Sequence, residues 1–471
     1  MPSLVGVSMN IRLAIQTIAC FGLSMAVHAA AGAEHSFERA TMARLASLRG
    51  ADSLVIDGFP TGPGSSAAVR FRHAQVYSND AHIYLVAGAG KTEIPRSERI
   101  YLRGYSDDKS TRVALALNPD LSVAHGSGTG PEGSFLLRAT TTGGASNLVA
   151  QKMKPPPGSN FDFRCGNDDL NLDLSTLGSV AATQVRDSLT SQALASSNAL
   201  RFAVVAVDTD SLFMQRLFNN NTANAADWIA GMFNTMNLMY ETDLLVQLQI
   251  GTTILRTSPG TDPYTSLTSS ATTAGLDLFA NYWKTNEGAV TRAFAILLSG
   301  AISSTQNSCS SSGLAWIKQY CQKGFAQNSD TVGSYSLNEV CTSIDIDPDG
   351  SFAALIVGHE LGHNFGAYHT HCTNASTGVP TASNFIDQCF SGESTLYNNQ
   401  VFACYSGTQS CPAAGAGTIM SYCNFSGSGC DSGTQNLLEF HPAHIAKLDQ
   451  YIGATSGCLN TTDDVFFSNF E

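Results

Sequence analysis

The sequence predicts an α/β fold in two unlike parts, a β-rich N-terminal region and a larger region that layers helices on a twisted mixed sheet. Three observations carry this. Between residue 53 and about residue 142, short β-type runs alternate with Gly, Asn and Asp, the punctuation of turns. Beyond Leu200, apolar strands alternate with helical stripes, the order that builds a layered sheet. Inside the second part, an apolar helix leads into the pattern H-E-x-x-H-x-x-G-x-x-H over residues 359–369. With 471 residues, the chain can bury two or three separate cores.

From the N-terminus, the chain begins with a targeting segment. After Met9, itself a candidate start, come Asn10-Ile11-Arg12, a mostly apolar run over 13–27, and the small residues Ala29-Ala30-Ala31-Gly32-Ala33. A charged start, a short apolar core and A-x-A options mark 1–33 as a secretory signal peptide. No stretch reaches the roughly 20 apolar residues of a membrane span, so the expectation is a secreted, extracellular protein. Residues 34–48 place Phe37, Met42, Leu45 and Leu48 on one helical face. Strand-like runs follow at 54–56, 68–71, 82–86, 100–102 and 135–137. Residues 34–150 carry no cysteine and no catalytic cluster, and by position they read as a propeptide domain. A substrate-binding module is the alternative.

Residues 151–198 loosen into a linker around Pro155-Pro156-Pro157-Gly158-Ser159, a place for an activating cut. The second region, 199–458, opens with the buried-type strand Arg201-Phe202-Ala203-Val204-Val205-Ala206-Val207. A helical stripe over 222–240 (Trp228, Ile229, Met232, Phe233, Met236, Met239, Tyr240) reads as core packing. A strand at 244–250, a helix at 271–284 and a strand at 292–298 complete the layer. The segment 335–341 is the candidate edge strand, open to pairing with an extended peptide. Pro442 opens a last amphipathic helix, and 459–471 is expected to be a mobile tail.

Each fixed position of the motif has a physical job. On a helix, His359 and His363 leave the same face one turn apart, so two ring nitrogens can reach one metal at about 2 Å. Glu360 follows on the same turn, placed to take a proton from a water. Gly366 accepts a positive φ and stops the helix, which brings His369 round as a third ligand. Three protein ligands with an open fourth position describe a catalytic zinc site rather than a structural one.

About fifty residues downstream, Gly417-Thr418-Ile419-Met420-Ser421-Tyr422-Cys423 resembles the Met-turn of the metzincin zinc metallopeptidases. With the histidine motif, the chain resembles that superfamily over roughly 199–458, and "GHELGHNFGAYH" is most similar to the reprolysin (adamalysin) type. The resemblance implies an α+β catalytic domain with a mixed sheet and an active-site helix. It also implies that Met420 forms an apolar floor beneath His359, His363 and His369. Tyr422 matches a tyrosine that approaches metal and oxyanion in astacin-like and serralysin-like members; a hydrogen-bonded core tyrosine is the other reading. The chain departs from the reprolysin pattern at Thr370, where an aspartate is usual, and at Tyr422, which leaves the subfamily open.

The chain has 12 cysteines, and Cys20 leaves with the signal peptide. Ten crowd the C-terminal third, an even set expected to form five disulfides whose connectivity the sequence does not decide. Cys165 is the odd one. Its setting, Phe163-Arg164-Cys165-Gly166-Asn167-Asp168-Asp169, resembles the cysteine switch of matrix metalloproteinases without the two prolines. A thiolate there would take the open metal position. The alternative is a cysteine left unbridged or bridged to another molecule. Asp345-Ile346-Asp347-Pro348-Asp349-Gly350 opens like a calcium loop but lacks the closing Glu, so Ca2+ competes with a plainer reading as acidic capping of the zinc helix. His371 and His444 read as surface histidines.

A net charge of −13 argues against nucleic acid or an anionic membrane as partner. The reading is a secreted zinc endopeptidase acting on proteins or peptides, latent through its own propeptide. Two rivals stand beside it. One is a thermolysin-like site, for which Asp387 and Glu393 are the only carboxylates at a suitable distance. The other is a secreted zinc-binding adhesion protein or inhibitor without turnover.

Overall fold

The computed structural model describes residues 35–37, 39–142, 145–154, 164–165, 200–267, 271–301, 312–327, 330–340, 347–398, 400–413, 415–424, 428, 430, 436–454 and 458–461. The expected signal peptide, most of the expected linker and the end of the tail lie outside these residues. Gly32–Glu471 forms one compact unit.

The first part begins with strand β1 (His35–Phe37) and helix α1 (Arg39–Ala46). Phe37 therefore belongs to a strand, not to the helical face expected of it, whereas Met42, Leu45 and Leu48 do point inward. Strands β2 (Ser53–Gly62), β3 (Ser65–His73), β4 (Ile83–Val86), β5 (Thr92–Ile94), β6 (Ile100–Tyr105), β7 (Arg112–Leu117), β8 (Val123–Gly130), β9 (Gly133–Thr142) and β10 (Ala145–Lys152) follow. Eight of them form an antiparallel sheet in the order β1-β10-β9-β8-β7-β6-β3-β2. Along β7 the side chains alternate between two cores. Val113, Leu115 and Leu117 join α1, Phe59 and Phe71, while Ala114 and Ala116 join the core of the second part.

β4 and β5 leave this sheet for a second one. That sheet adds β11 (Arg164–Cys165), β12 (Arg201–Thr209), β13 (Val246–Arg256), β14 (Phe294–Ser299), β15 (Ser312–Ala315) and, past the hairpin β16 (Phe325–Gln327)–β17 (Asp330–Val332), β18 (Tyr335–Glu339). Its order is β11-β15-β18-β14-β12-β13-β4-β5, with β4, β13, β12, β14 and β18 parallel and β15 reversed. The run 82–86 thus forms a strand as expected, but pairs with β13 (Ile83 with Thr253, Val86 with Arg256). The segment expected as an edge at 335–341 is, over its described residues 335–340, not one. β18 is buried along its length because β14 and β15 flank it, and its polar Asn338 donates inward to the carbonyls of Leu297 and Ser336. β15 bounds the cleft instead.

Helices α2 (Ser211–Phe218), α3 (Thr222–Leu244), α4 (Thr273–Asn286), α5 (Ser351–Phe365) and α6 (Pro442–Ala454) complete the layers. The Asn221 side chain caps α3, and Leu245 in the left-handed region ends it before β13. α3 is buried on several faces. Asn234 donates to Leu102 of β6, Thr235 meets Ser127 of β8 at 2.8 Å, and Asn237 bonds both backbone groups of Leu248. A small hairpin, β19 (Ser394–Tyr397) and β20 (Gln400–Ala403), stands beyond the third histidine. The expected tail begins with β21 (Asn460–Thr461), which pairs with the start of β12.

Candidate metal centre

α5 owes its start to Asp347, whose carboxylate accepts the N–H groups of Phe352 and Ala353 at 3.1–3.2 Å. The Asp347 carbonyl receives the indole N–H of Trp228 at 2.6 Å. Burial, then the neighbouring Asp349 carboxylate, pushes Asp347 up. Asp347 thus serves as the acidic cap, and Asp345 lies outside the described residues. The helix stops at Gly366, φ 111°, whose N–H returns to the carbonyls of Gly362 and His363.

The turn delivers three imidazoles to one point. Nε2 of His363 lies 3.1 Å from Nε2 of His359 and 3.1 Å from Nε2 of His369. Each Nδ1 is turned to an acceptor: the carbonyl of Ile419 at 2.8 Å for His359, that of Ala367 at 2.9 Å for His363, and Glu393 at 2.9 Å for His369. A ring whose proton sits on Nδ1 presents a lone pair at Nε2. Three lone pairs that close together repel unless a cation lies among them. The spacing is near the roughly 3.3 Å expected of nitrogens about 2.05 Å from a tetrahedral ion. Burial first, then the neighbouring rings, hold His359 and His363 well below the usual histidine range. The donor set fits zinc.

Glu360 is fully buried beside this point, and burial pushes its carboxyl up to about 8. Its Oε1 has no hydrogen-bond partner among the described residues. Sequence reasoning passed over Gly313, which makes that place: a Cβ on Gly313 would stand 2.2 Å from Oε1 of Glu360. The bare backbone of β15 at Gly313 lets this strand close over the carboxylate.

Met420 lies against α5, its Sδ 2.6 Å from where a Cβ on Gly362 would be. The Met420 carbonyl accepts the N–H of Thr370 at 3.1 Å and its hydroxyl at 3.3 Å. The residue that departs from the family pattern therefore ties the segment after His369 to the Met-turn. The Tyr422 ring is 4.6 Å from that of His369.

Cys165 reaches the same place from the other end of the chain. β11 runs parallel to β15, with Cys165 opposite Gly313. The thiol and one ring nitrogen from each of the three histidines all lie within 4.8 Å of one another. Sγ is 3.6 Å from Oε2 of Glu360, the Cys165 N–H donates to the Tyr422 hydroxyl at 3.0 Å, and that hydroxyl is 3.2 Å from the Cys165 carbonyl.

The thermolysin-like alternative finds no support in these positions. Glu393 lies on the Nδ1 side of His369, away from the convergence point, and Asp387 accepts from Ser421 at 2.5 Å and from the N–H of Cys389. His371 and His444, expected at the surface, are both buried: His371 bonds Glu393 and His444 meets Thr373 at 3.3 Å. Among the described residues the disulfides are Cys321–Cys458, Cys372–Cys404, Cys389–Cys423 and Cys411–Cys430. Cys309 and Cys341 lie outside the described residues.

A family model described as Metallo-peptidase family M12 (Reprolysin_5) matches residues 198–434, half of the chain. No curated protein matches. Among solved structures, one described as "Structure of a chaperone-substrate complex" is similar at 12% identity with a TM-score of 0.26, over 53% of this chain and 36% of its own length. No helix among the described residues is long and apolar enough to cross a membrane.

Proposed function

The chain belongs to metallopeptidase family M12, a zinc-dependent protease family, and from that premise we propose that it is a secreted endopeptidase made as a latent zymogen. The observation that carries the proposal is the β11–β15 pairing, which brings the Cys165 thiol among the three histidines and against Glu360. In this reading residues 34–150 are the propeptide domain, 151–198 the linker with the switch, and 199–458 the catalytic domain. His359, His363 and His369 hold the metal, and Met420 supports them from below.

Bound zinc supplies a Lewis acid that polarises a carbonyl and acidifies a water. The rest falls to side chains. Glu360, desolvated and with one oxygen open, takes the proton from the attacking water and hands it to the leaving amine. The Tyr422 hydroxyl, once the Cys165 backbone has left it, donates to the oxyanion that develops on the scissile carbonyl. β15, vacated by β11, offers its open edge to an extended peptide. The Asp347 carboxylate is engaged by the helix N–H groups, which supports its reading as an acidic cap over that of a calcium ligand.

Casein turnover by the activated protein, lost with a chelator and restored by zinc, tests the reading against an adhesion protein or inhibitor without turnover. Glu360→Ala should keep zinc and lose about 100- to 10,000-fold in turnover. Full activity in that variant removes Glu360 from its role.

A further inference from the structure

His369 differs from the other two histidines in what lies behind it. His359 and His363 turn Nδ1 to carbonyls, whereas Nδ1 of His369 meets both oxygens of Glu393, at 2.9 and 3.0 Å. The Glu393 side chain is 4% exposed, so its charge has no solvent to fall back on. Nε2 of His371 bonds the same carboxylate, and the His371 ring stacks on that of His369 at 5.3 Å. Nδ1 of His371 has no hydrogen-bond partner among the described residues, so this second ring acts as a donor through Nε2.

The backbone that brings Glu393 here is itself fastened. Glu393 precedes β19, and its carbonyl accepts the N–H of Cys404 at 3.0 Å, just after β20. The N–H of Tyr405 donates to the carbonyl of His371 at 2.9 Å, and the Cys372–Cys404 bridge joins the hairpin to the segment after His369. Thr370, next to His369, is turned away to Met420 and supplies no carboxylate.

We propose that Glu393 is the positioning residue for the third metal ligand, with the disulfide-tied hairpin as its mount. Its carboxylate keeps the proton of His369 on Nδ1, fixes the plane of the ring and makes Nε2 a stronger donor to the metal. The inference rests on the zinc reading of the three histidines. His371 holds the second side of the carboxylate, so that Glu393 cannot rotate away from His369.

The test is zinc affinity of the full-length protein, by competition with a fluorescent chelator, for wild type, Glu393→Gln, Glu393→Asp and His363→Ala. Glu393→Gln keeps the volume and removes the charge, and it should bind zinc roughly 10- to 100-fold more weakly. Glu393→Asp keeps the charge on a shorter arm and should fall in between. The visible spectrum of the cobalt-substituted Gln variant should shift from that of wild type, which a purely structural role would leave alone. Unchanged zinc affinity in folded Glu393→Gln and Glu393→Asp overturns the proposal. A wild type that takes up no more zinc than His363→Ala overturns the metal centre itself, a separate failure.

Discussion

The thiol of Cys165 lies 3.6 Å from Oε2 of Glu360, so one side chain from the N-terminal half covers both the converging histidines and the carboxylate beside them. Replacing that thiol uncovers both at once. Cys165→Ala is expected to turn over casein without a proteolytic step, while wild type stays silent until cut. Equal latency in the two proteins would remove Cys165 from the inhibition.

Tyr422 serves the covered state through its hydroxyl, which accepts from the Cys165 N–H at 3.0 Å and meets its carbonyl at 3.2 Å. Two hydrogen bonds at about 1 kcal/mol each make Tyr422→Phe release the segment roughly 30-fold more readily. The rate at which a thiol reagent modifies Cys165 in the uncut protein reads this directly. If the hydroxyl also serves the oxyanion, turnover by the activated variant falls about 100-fold or more. A variant that opens no faster and cuts as well as wild type makes Tyr422 a core residue only.

Gly313 leaves room for Glu360 that no other residue would. A methyl at 2.2 Å from Oε1 forces either the carboxylate or β15 to move, at about 1–3 kcal/mol. Gly313→Ala is expected to melt lower and to lose turnover while its zinc content holds. Normal turnover in that variant would mean β15 is not confined as it stands here.

Much of this site was legible in the sequence because its chemistry is local. His359, Glu360, His363, Gly366 and His369 are set by one helix and its stop, and the Met-turn lies within one loop. Cys165 and Tyr422 were legible as residues, but their mutual contact spans 257 positions and no spacing encodes it. Gly313 and Glu393 gave no usable signal. One matters for the atoms it lacks, and the other reads from its spacing as a candidate direct ligand, whereas its oxygens meet the far nitrogen of the ring. The strands of the second part followed from apolar runs, yet partner choice did not. The run 82–86 reads as one more strand of the first sheet, and only the buried β13 beside it explains why it pairs elsewhere.

Asp210 gives a pH signature away from the metal. It is buried and accepts from Ser299 at 2.5 Å and from the N–H groups of Phe213 and Gly300. Burial outweighs these bonds and pushes it up to about 6. A carboxyl raised in the folded state stabilises it fully below the ordinary carboxylate range and loses that contribution as pH rises through about 6. Between pH 4 and 7 wild type should therefore lose stability, on the order of 3 kcal/mol, that Asp210→Asn does not lose. Urea midpoints of the two proteins that run parallel over that range would contradict it.

β4 pairs with β13 inside the second sheet, and Tyr101, Ala114, Ala116, Leu136 and Met153 share a core with α3. Glu241 of α3 is buried between Arg72 and Arg103, the latter at 2.8 Å, and Asp243 meets Arg112 at 2.7 Å. Stripping the N-terminal region would leave Glu241 and Asp243 without these partners, at about 3–5 kcal/mol for a broken buried pair, and would bare one side of β13. A cut within residues 155–199 therefore has reason to free the Cys165 segment while the residues before it remain in place. After limited proteolysis, the two fragments should separate on a denaturing gel yet elute together in native size-exclusion chromatography, with activity in that shared peak. An active C-terminal fragment that elutes alone and melts no lower than the uncut protein would show that the shared core is dispensable, and the N-terminal part would then be a propeptide that leaves.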